Sequence, residues 1–177
     1  MIKEILDSAN RLGACNKTEN IKDWEALASL FFSPQGREFC ERHNYPSIEV
    51  FRKMKPFLND NISVYIDAGF IRRDNEKNIA IIGDTAGYLT FDDNSVVHKI
   101  ILMHGARAVI KAKNYAVLLI ANIGECNVEI NKDATRGGNY CNMGILNHNY
   151  LPHTALCSNK ARRSSRISCR SFCIDVN

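Results

Sequence analysis

Three apolar runs recur at equal intervals in the middle of the chain, and they limit its fold more than any other feature. The runs begin at Ile79, His98 and Val117, which are 19 residues apart. A small or glycine-bearing corner, a second strand-like run and a polar corner follow each of them. This pattern is typical of a β-solenoid, in which equivalent strands of successive coils stack in parallel. The runs align in two columns, Ile81, Ile100 and Leu119 in one and Ile82, Ile101 and Ile120 in the other, and the second column is predicted to form an internal apolar ladder.

The second run of each unit has the alternation of a half-buried strand. In residues 106–112, Ala108 and Ile110 are predicted to point inward. The predicted outward set is Arg107, Lys111 and Lys113. Six short strands at this spacing also suit an ordinary antiparallel sandwich or barrel, which is the alternative fold.

Residues 1–58 carry the signals of a helical head. Apolar residues recur at helical spacing through residues 2–12. Asn20 is the predicted cap of a second helix, with Asp23 in its first turn. Ser33-Pro34 and Pro46-Ser47 are predicted to open a third and a fourth helix, since serine accepts from unpaired amides and proline suits the first turn.

The predicted fold class is therefore α+β, in three parts. A helical head occupies residues 1–58, a short parallel β-solenoid of about three to four coils occupies residues 59–133, and an irregular tail occupies residues 134–177. Residues 62–72 are predicted to be a degenerate first coil, because a terminal coil must close the apolar stack. We expect the head to cap that end and cover its strand edges.

The composition favours a cytoplasmic protein. Hydrophobic residues make up 45% of the chain, which is enough for a core. No apolar run approaches the roughly 18 residues of a membrane span, and the first residues lack the apolar segment of a signal peptide. The seven cysteines are then expected to be free thiols. Neither membrane association nor a cofactor is predicted.

The tail carries the basic character of the chain. Residues 134–177 hold six basic residues and one acidic residue, a net charge of +5, against −1 for residues 1–133. The candidate nucleic-acid contacts are Arg162, Arg163, Arg166 and Arg170, which would grip phosphates by charge alone. The alternative is a solvated basic tail without a ligand.

The tail also holds candidate zinc ligands. They are Cys141, His148, His153 and Cys157, with Cys169 and Cys173 further on. Zinc sites usually pair four such ligands at short regular spacing, and these residues are scattered. The alternative is a set of unpaired side chains, and the prediction is that no metal binds.

One segment is compatible with an alternative function as an acyltransferase. Residues 82–87 match one turn of the hexapeptide pattern of left-handed β-helix acyltransferases, with His104 or His98 as a candidate general base. The apolar runs are longer than that pattern and the hexapeptides do not recur in tandem, so a corner histidine without catalytic role is the alternative. Cys40 and His43, three residues apart on a predicted helix, offer a thiolate–imidazole pair, against a buried cysteine beside a surface histidine.

Several short segments together resemble a family of uncharacterised bacterial proteins. They are residues 33–40 (SPQGREFC), 83–85 (GDT), 89–94 (LTFDDN), 104–106 (HGA) and 114–117 (NYAV). The resemblance covers about residues 20–133. It implies no activity and no site residue.

These observations favour a non-enzymatic interaction or scaffold protein. Solenoids present rigid extended faces, and nothing in the sequence supplies a reaction centre. The predicted recognition surface is formed by Arg107, Lys111, Lys113, Asn127 and Glu129, facing an unknown protein partner. Copies of the chain are expected to associate if the end of the stack near Ile130 is open.

Overall fold

A computed structural model describes residues 1–14, 21–59, 61–132 and 143–146 of the chain. The helices are α1 (Ile2–Arg11), α2 (Trp24–Phe31), α3 (Pro34–His43) and α4 (Ile48–Met54), followed by a 3-10 turn (Lys55–Phe57). The strands are β1 (Val64–Ile66), β2 (Gly69–Asp74), β3 (Asn78–Ile82), β4 (Thr85–Phe91), β5 (Val97–Met103), β6 (Arg107–Ala112), β7 (Val117–Ile123), β8 (Asn127–Lys132) and β9 (Met143–Leu146).

The helix starts follow their capping residues. The Ser33 hydroxyl accepts a hydrogen bond from the Gly36 amide at 3.0 Å, and Pro34 occupies the first turn of α3, as predicted. The second helix begins later than expected. Asp23, rather than Asn20, caps α2, because its carboxylate accepts from the Ala26 amide at 2.7 Å.

Every described strand pairing is parallel, which confirms the predicted solenoid. The odd-numbered strands form the first sheet in the order β1-β3-β5-β7-β9, and the even-numbered strands form the second in the order β2-β4-β6-β8. The chain therefore alternates between two sheets as it coils, and the antiparallel alternative is wrong. The first coil consists of β1 and β2, which lie close to the predicted range of 62–72.

The predicted columns are wrong in register. Successive coils differ by 16, 21 and 20 residues rather than 19, since Ile66 pairs with Ile82, Ile82 with Met103 and Met103 with Ile123. The second sheet repeats the same offsets, with Leu89 opposite Ile110. The internal ladders are Ile79, Ile100 and Ile120, and Ile81, Leu102 and Asn122. Runs of consecutive isoleucines align in several registers, so a pattern of apolar residues cannot choose between them.

The strands β1, β3, β5 and β7 of the first sheet are buried on both faces. One face fills the interior of the solenoid with side chains such as Ile79 and Ile100. The other face, which includes Ile82 and Ile101, packs against α1–α4 in a second apolar cluster with Leu27. The helical head therefore covers the side of the solenoid across β1, β3, β5 and β7, and the predicted position at the end of the stack is wrong.

The first coil closes its own end of the interior. Tyr65 of β1 packs against the interior cluster, and its hydroxyl accepts from Nε of Arg73 at 2.6 Å. The Arg73 guanidinium also lies 4.8 Å from the centre of the Tyr65 ring. A half-buried aromatic ring and a cation thus face the end of the apolar stack, as a terminal coil requires.

Candidate interaction surface

We call the side of the second sheet that faces away from the solenoid interior the outer face. It carries a registered array of exposed and half-buried side chains. Because successive residues of a strand point to opposite sides, its members alternate with buried interior residues. Its three rows across β2, β4, β6 and β8 are Phe70, Ala86, Arg107 and Asn127; Arg72, Tyr88, Val109 and Glu129; and Asp74, Thr90, Lys111 and Asn131.

Tyr88 stands near the centre of the outer face between two cations. The Arg72 guanidinium on β2 lies 5.5 Å from the centre of the Tyr88 ring, and the Lys111 amine on β6 lies 5.6 Å from it. Both distances fall within the range of a cation–π contact. The aromatic ring and the two charges therefore form one contiguous patch on the outer face.

An aromatic side chain lies at the margin of the outer face. Phe70 on β2 is 74% exposed and registers with Ala86 and Arg107. Phenylalanine and arginine are residue types that are enriched in protein interfaces. Phe70, Arg72 and Tyr88 were not among the residues predicted for this surface, although the alternation of residues 85–91 indicates that Tyr88 points outward.

The structure brings together four of the five residues of the predicted recognition surface. Arg107, Lys111, Asn127 and Glu129 lie on the outer face in neighbouring registers. Lys113 follows the end of β6, where its amide donates to the Phe91 carbonyl at 2.8 Å, so it lies at the margin.

The charges of the outer face are mixed, with a small excess of cations. The cations are Arg72, Arg107 and Lys111, and the anions are Asp74 and Glu129. Arg107 also contacts Asp84 at 3.2 Å, but both side chains are more than 60% exposed, so this ion pair contributes little to stability.

One row of corner residues joins the two sheets and adopts the left-handed conformation in every coil. Asp67, Gly83, His104 and Gly124 directly follow the last paired residues of β1, β3, β5 and β7, with φ of 43°, 65°, 55° and 79°. Glycine adopts this conformation at little cost, whereas other residues pay roughly 1–2 kcal/mol. The two residues of the row that are not glycine are those whose side chains reach the helical head.

His104 is a docking contact for the helical head. Its Nε2 lies 2.7 Å from the Pro46 carbonyl oxygen, the distance of a hydrogen bond donated by the imidazole. Its ring meets the Phe51 ring edge-on at 5.8 Å between centres. The candidate general base thus lies at a corner. Its Nε2 is hydrogen-bonded to the loop before α4, and its ring packs against α4.

Asp67 makes the corresponding contact in the first coil. Its carboxylate accepts from Nε of Arg52 at 2.7 Å and from the Asp84 amide at 2.8 Å. Lys55 donates to the Asp67 carbonyl at 2.9 Å. The hydrogen bond from Arg52, followed by that from the Asp84 amide, lowers the pKa of Asp67.

His98 is buried inside the solenoid between two backbone carbonyls. Its Nδ1 lies 2.9 Å from the Glu76 oxygen and its Nε2 lies 3.0 Å from the Asp93 oxygen. The ring packs on Phe91 at 4.7 Å and registers with Leu118, rather than with Ile79 and Val117 as the 19-residue period implied. A fully buried ring that packs on Phe91 and lies between two backbone carbonyl oxygens is a structural side chain.

The Cys40 and His43 pair is not assembled. Burial chiefly raises the pKa of the Cys40 thiol, to about 12, so the sulfur stays protonated at neutral pH. The His43 ring instead lies against Phe39, 4.7 Å between centres. Cys40 and Cys126 are both free thiols.

The remaining candidates lie outside the described residues. These are the zinc candidates Cys141, His148, His153 and Cys157, with Cys169 and Cys173, and the nucleic-acid candidates Arg162, Arg163, Arg166 and Arg170. Within the described part of the chain, no cluster of histidine, cysteine or carboxylate side chains could hold a metal ion. The helices of that part are all too short or too polar to cross a membrane.

No protein-family model, no curated protein and no solved structure matches this chain. The resemblance to a bacterial family therefore stays a prediction, and the function rests on the surfaces themselves.

Proposed function

We propose that this protein is a non-enzymatic interaction protein that binds a protein partner through the outer face. The observation that carries the proposal is the asymmetry of the two sheets. The helical head occupies the outer side of the first sheet, whereas the same side of the second sheet keeps an exposed phenylalanine, a tyrosine flanked by cations and three rows of registered side chains. A rigid face of this composition suits recognition.

The size of the outer face indicates the kind of partner. Three rows on four strands span about 15 Å in each direction, or roughly 200–300 Å². A stable interface between two globular proteins takes about 800 Å² from each partner. The outer face therefore suits a loop or an extended segment of a partner, or a transient contact, with Tyr88 as the aromatic centre and Arg72, Arg107 and Lys111 favouring an acidic sequence.

Site-specific photo-crosslinking in cells tests the proposal. A photoreactive amino acid at Val109 on the outer face should give a discrete protein adduct. The same amino acid at the exposed Lys53 of α4 should not give that adduct. Adducts of equal yield from both positions, or none from Val109, would contradict the proposal.

Charge-reversal variants then test the mechanism of recognition. Arg72→Glu with Lys111→Glu should remove the adduct formed at Val109, because both cations flank Tyr88. The matched control is Lys3→Glu with Lys53→Glu, which makes the same charge change at exposed positions of the head. If both double variants weaken the adduct equally, overall charge rather than the outer face attracts the partner.

A further inference from the structure

The helical head contains a cavity of about 220 Å³ where α1, α2 and α3 meet. Two features hold α2 and α3 close together at one end of it. Ser33 donates to the Leu30 carbonyl at 2.7 Å while it caps α3, and a methyl group at Gly36 would overlap that same carbonyl. The close contact at this turn leaves a gap further along, over which α1 lies.

The wall of the cavity is mainly apolar. Three helices contribute aliphatic, aromatic and thiol groups, among them Ile5, Ala9, Leu27, Leu30, Phe39 and Cys40. The Cys40 sulfur is a protonated thiol, since burial raises its pKa to about 12. The Tyr45 hydroxyl is already paired, because it donates to the Ile5 carbonyl at 2.8 Å.

The charged residues of the lining belong to the mouth. Glu38 and Arg42 pair with each other at 2.6 Å, and their side chains are 65% and 67% exposed. An ion pair so well solvated gives little attraction for a charged ligand. The lining thus selects against a charged molecule and offers burial of apolar surface instead.

The volume of the cavity limits the size of the molecule that it can bind. An apolar cavity of about 150 Å³ in a protein interior stays dry and accepts benzene, so 220 Å³ accommodates about eight to ten non-hydrogen atoms. We propose that this cavity is a binding site for a small uncharged apolar molecule, of the class of a monocyclic aromatic or a short branched hydrocarbon. The site is separate from the outer face and does not depend on the proposed function.

Binding also has a structural consequence for α1. Of its ten residues, Ile5 and Ala9 are buried, so apolar contact with the rest of the head is limited. A ligand that fills the cavity adds apolar surface against these two residues. The folded head is then stabilised by RT ln(1 + L/Kd), where L is the free ligand concentration, and this gain rises with the logarithm of ligand concentration once the site is nearly saturated.

Thermal unfolding of the full chain with toluene as the probe tests the site. We expect the unfolding midpoint to rise by about 3 °C at a toluene concentration of about five times its Kd, where the stabilisation is about 1 kcal/mol. Ala9→Leu places a side chain in the cavity and should abolish this rise. Ala26→Leu makes the same change on α2 outside the lining and should preserve it.

A nuclear Overhauser measurement on the unmodified chain gives a second readout that needs no variant. Toluene protons should show contacts to the methyl groups of Ile5 and Leu27. No midpoint shift in the wild-type chain, an undiminished shift in Ala9→Leu, or Overhauser contacts confined to other methyl groups would each overturn the proposal.

Discussion

The two sheets of the solenoid have the same coil offsets and opposite surroundings. In the first sheet, β5 is buried on both sides, because Ile100 faces the interior and Ile101 faces the helical head. In the second sheet, β6 alternates between buried Ala108 and Ile110 and outward Arg107, Val109 and Lys111. The comparison shows that one repeat can supply a sheet buried on both sides and a sheet with one exposed side, depending on what covers its outer side.

The sequence of each strand reflects this difference. Strands covered on both sides tolerate continuous apolar runs, whereas strands that face solvent need polar residues at every second position. The apolar runs of β3, β5 and β7 are therefore explained by the head, and the alternation of β4, β6 and β8 by solvent. Three predictions test whether the head is responsible.

The largest effect is expected from placing a charge on the outer side of each sheet in the same coil. Ile101→Lys buries an unpaired amine against the head and should lower the free energy of unfolding by about 4 kcal/mol or more. Val109→Lys points into solvent and should change it by less than about 1 kcal/mol. Urea unfolding of the two variants makes the measurement. Equal losses would mean that the two outer sides are alike.

A smaller effect is expected at the corners between the sheets. Gly83→Ala and Gly124→Ala both force alanine into the left-handed region, which costs about 1–2 kcal/mol. At Gly83 a methyl group would also overlap the Asp67 carboxylate and the Ile48 side chain of α4, while Gly124 has open space. Gly83→Ala should therefore lose a further 1–3 kcal/mol or so in urea unfolding. Similar losses of unfolding free energy in both variants would contradict the contact between α4 and this corner.

The smallest effect concerns the pH dependence of stability. Asp67 has a lowered pKa in the folded chain, chiefly because Arg52 donates to it, so its stabilising contribution is present above the pKa of unfolded aspartate. That contribution is lost as pH falls through the lower, folded pKa. Asp67→Asn tolerates the same left-handed backbone and should remove this part of the acid sensitivity. Urea midpoints between pH 7 and pH 3 measure it, and an unchanged slope in the variant would contradict it.

Local signals predicted much of the fold. Ser33-Pro34 marked a helix start because a hydroxyl beside a proline satisfies free amides, and the alternation of residues 106–112 marked a strand with one solvated side. The register was not predictable in the same way. Ile79, Ile81 and Ile82 are chemically equivalent in a pattern of apolar residues, and only the backbone hydrogen bonds distinguish a 21-residue offset from a 19-residue one.

The candidate surface was predicted in part for the same reason. Arg107, Lys111, Asn127 and Glu129 followed from alternation within their own strands. Phe70 and Arg72 did not, because the short first coil, offset by 16 residues, hid their registry with Ala86 and Tyr88. The cations beside Tyr88 come from two different strands, so their proximity depends on the sheet.

By itself, the sequence determined that four helices precede a repeat of short strands, since caps, periodicity and corners act over a few residues. Tertiary structure decided that the strands pair in parallel and which side of the stack the helices cover, and therefore which side remains exposed. The physical reason is that burial is a property of two surfaces in contact. An apolar strand indicates that it must be covered on both sides, but the chain segment that covers it is chosen by the packing of distant residues.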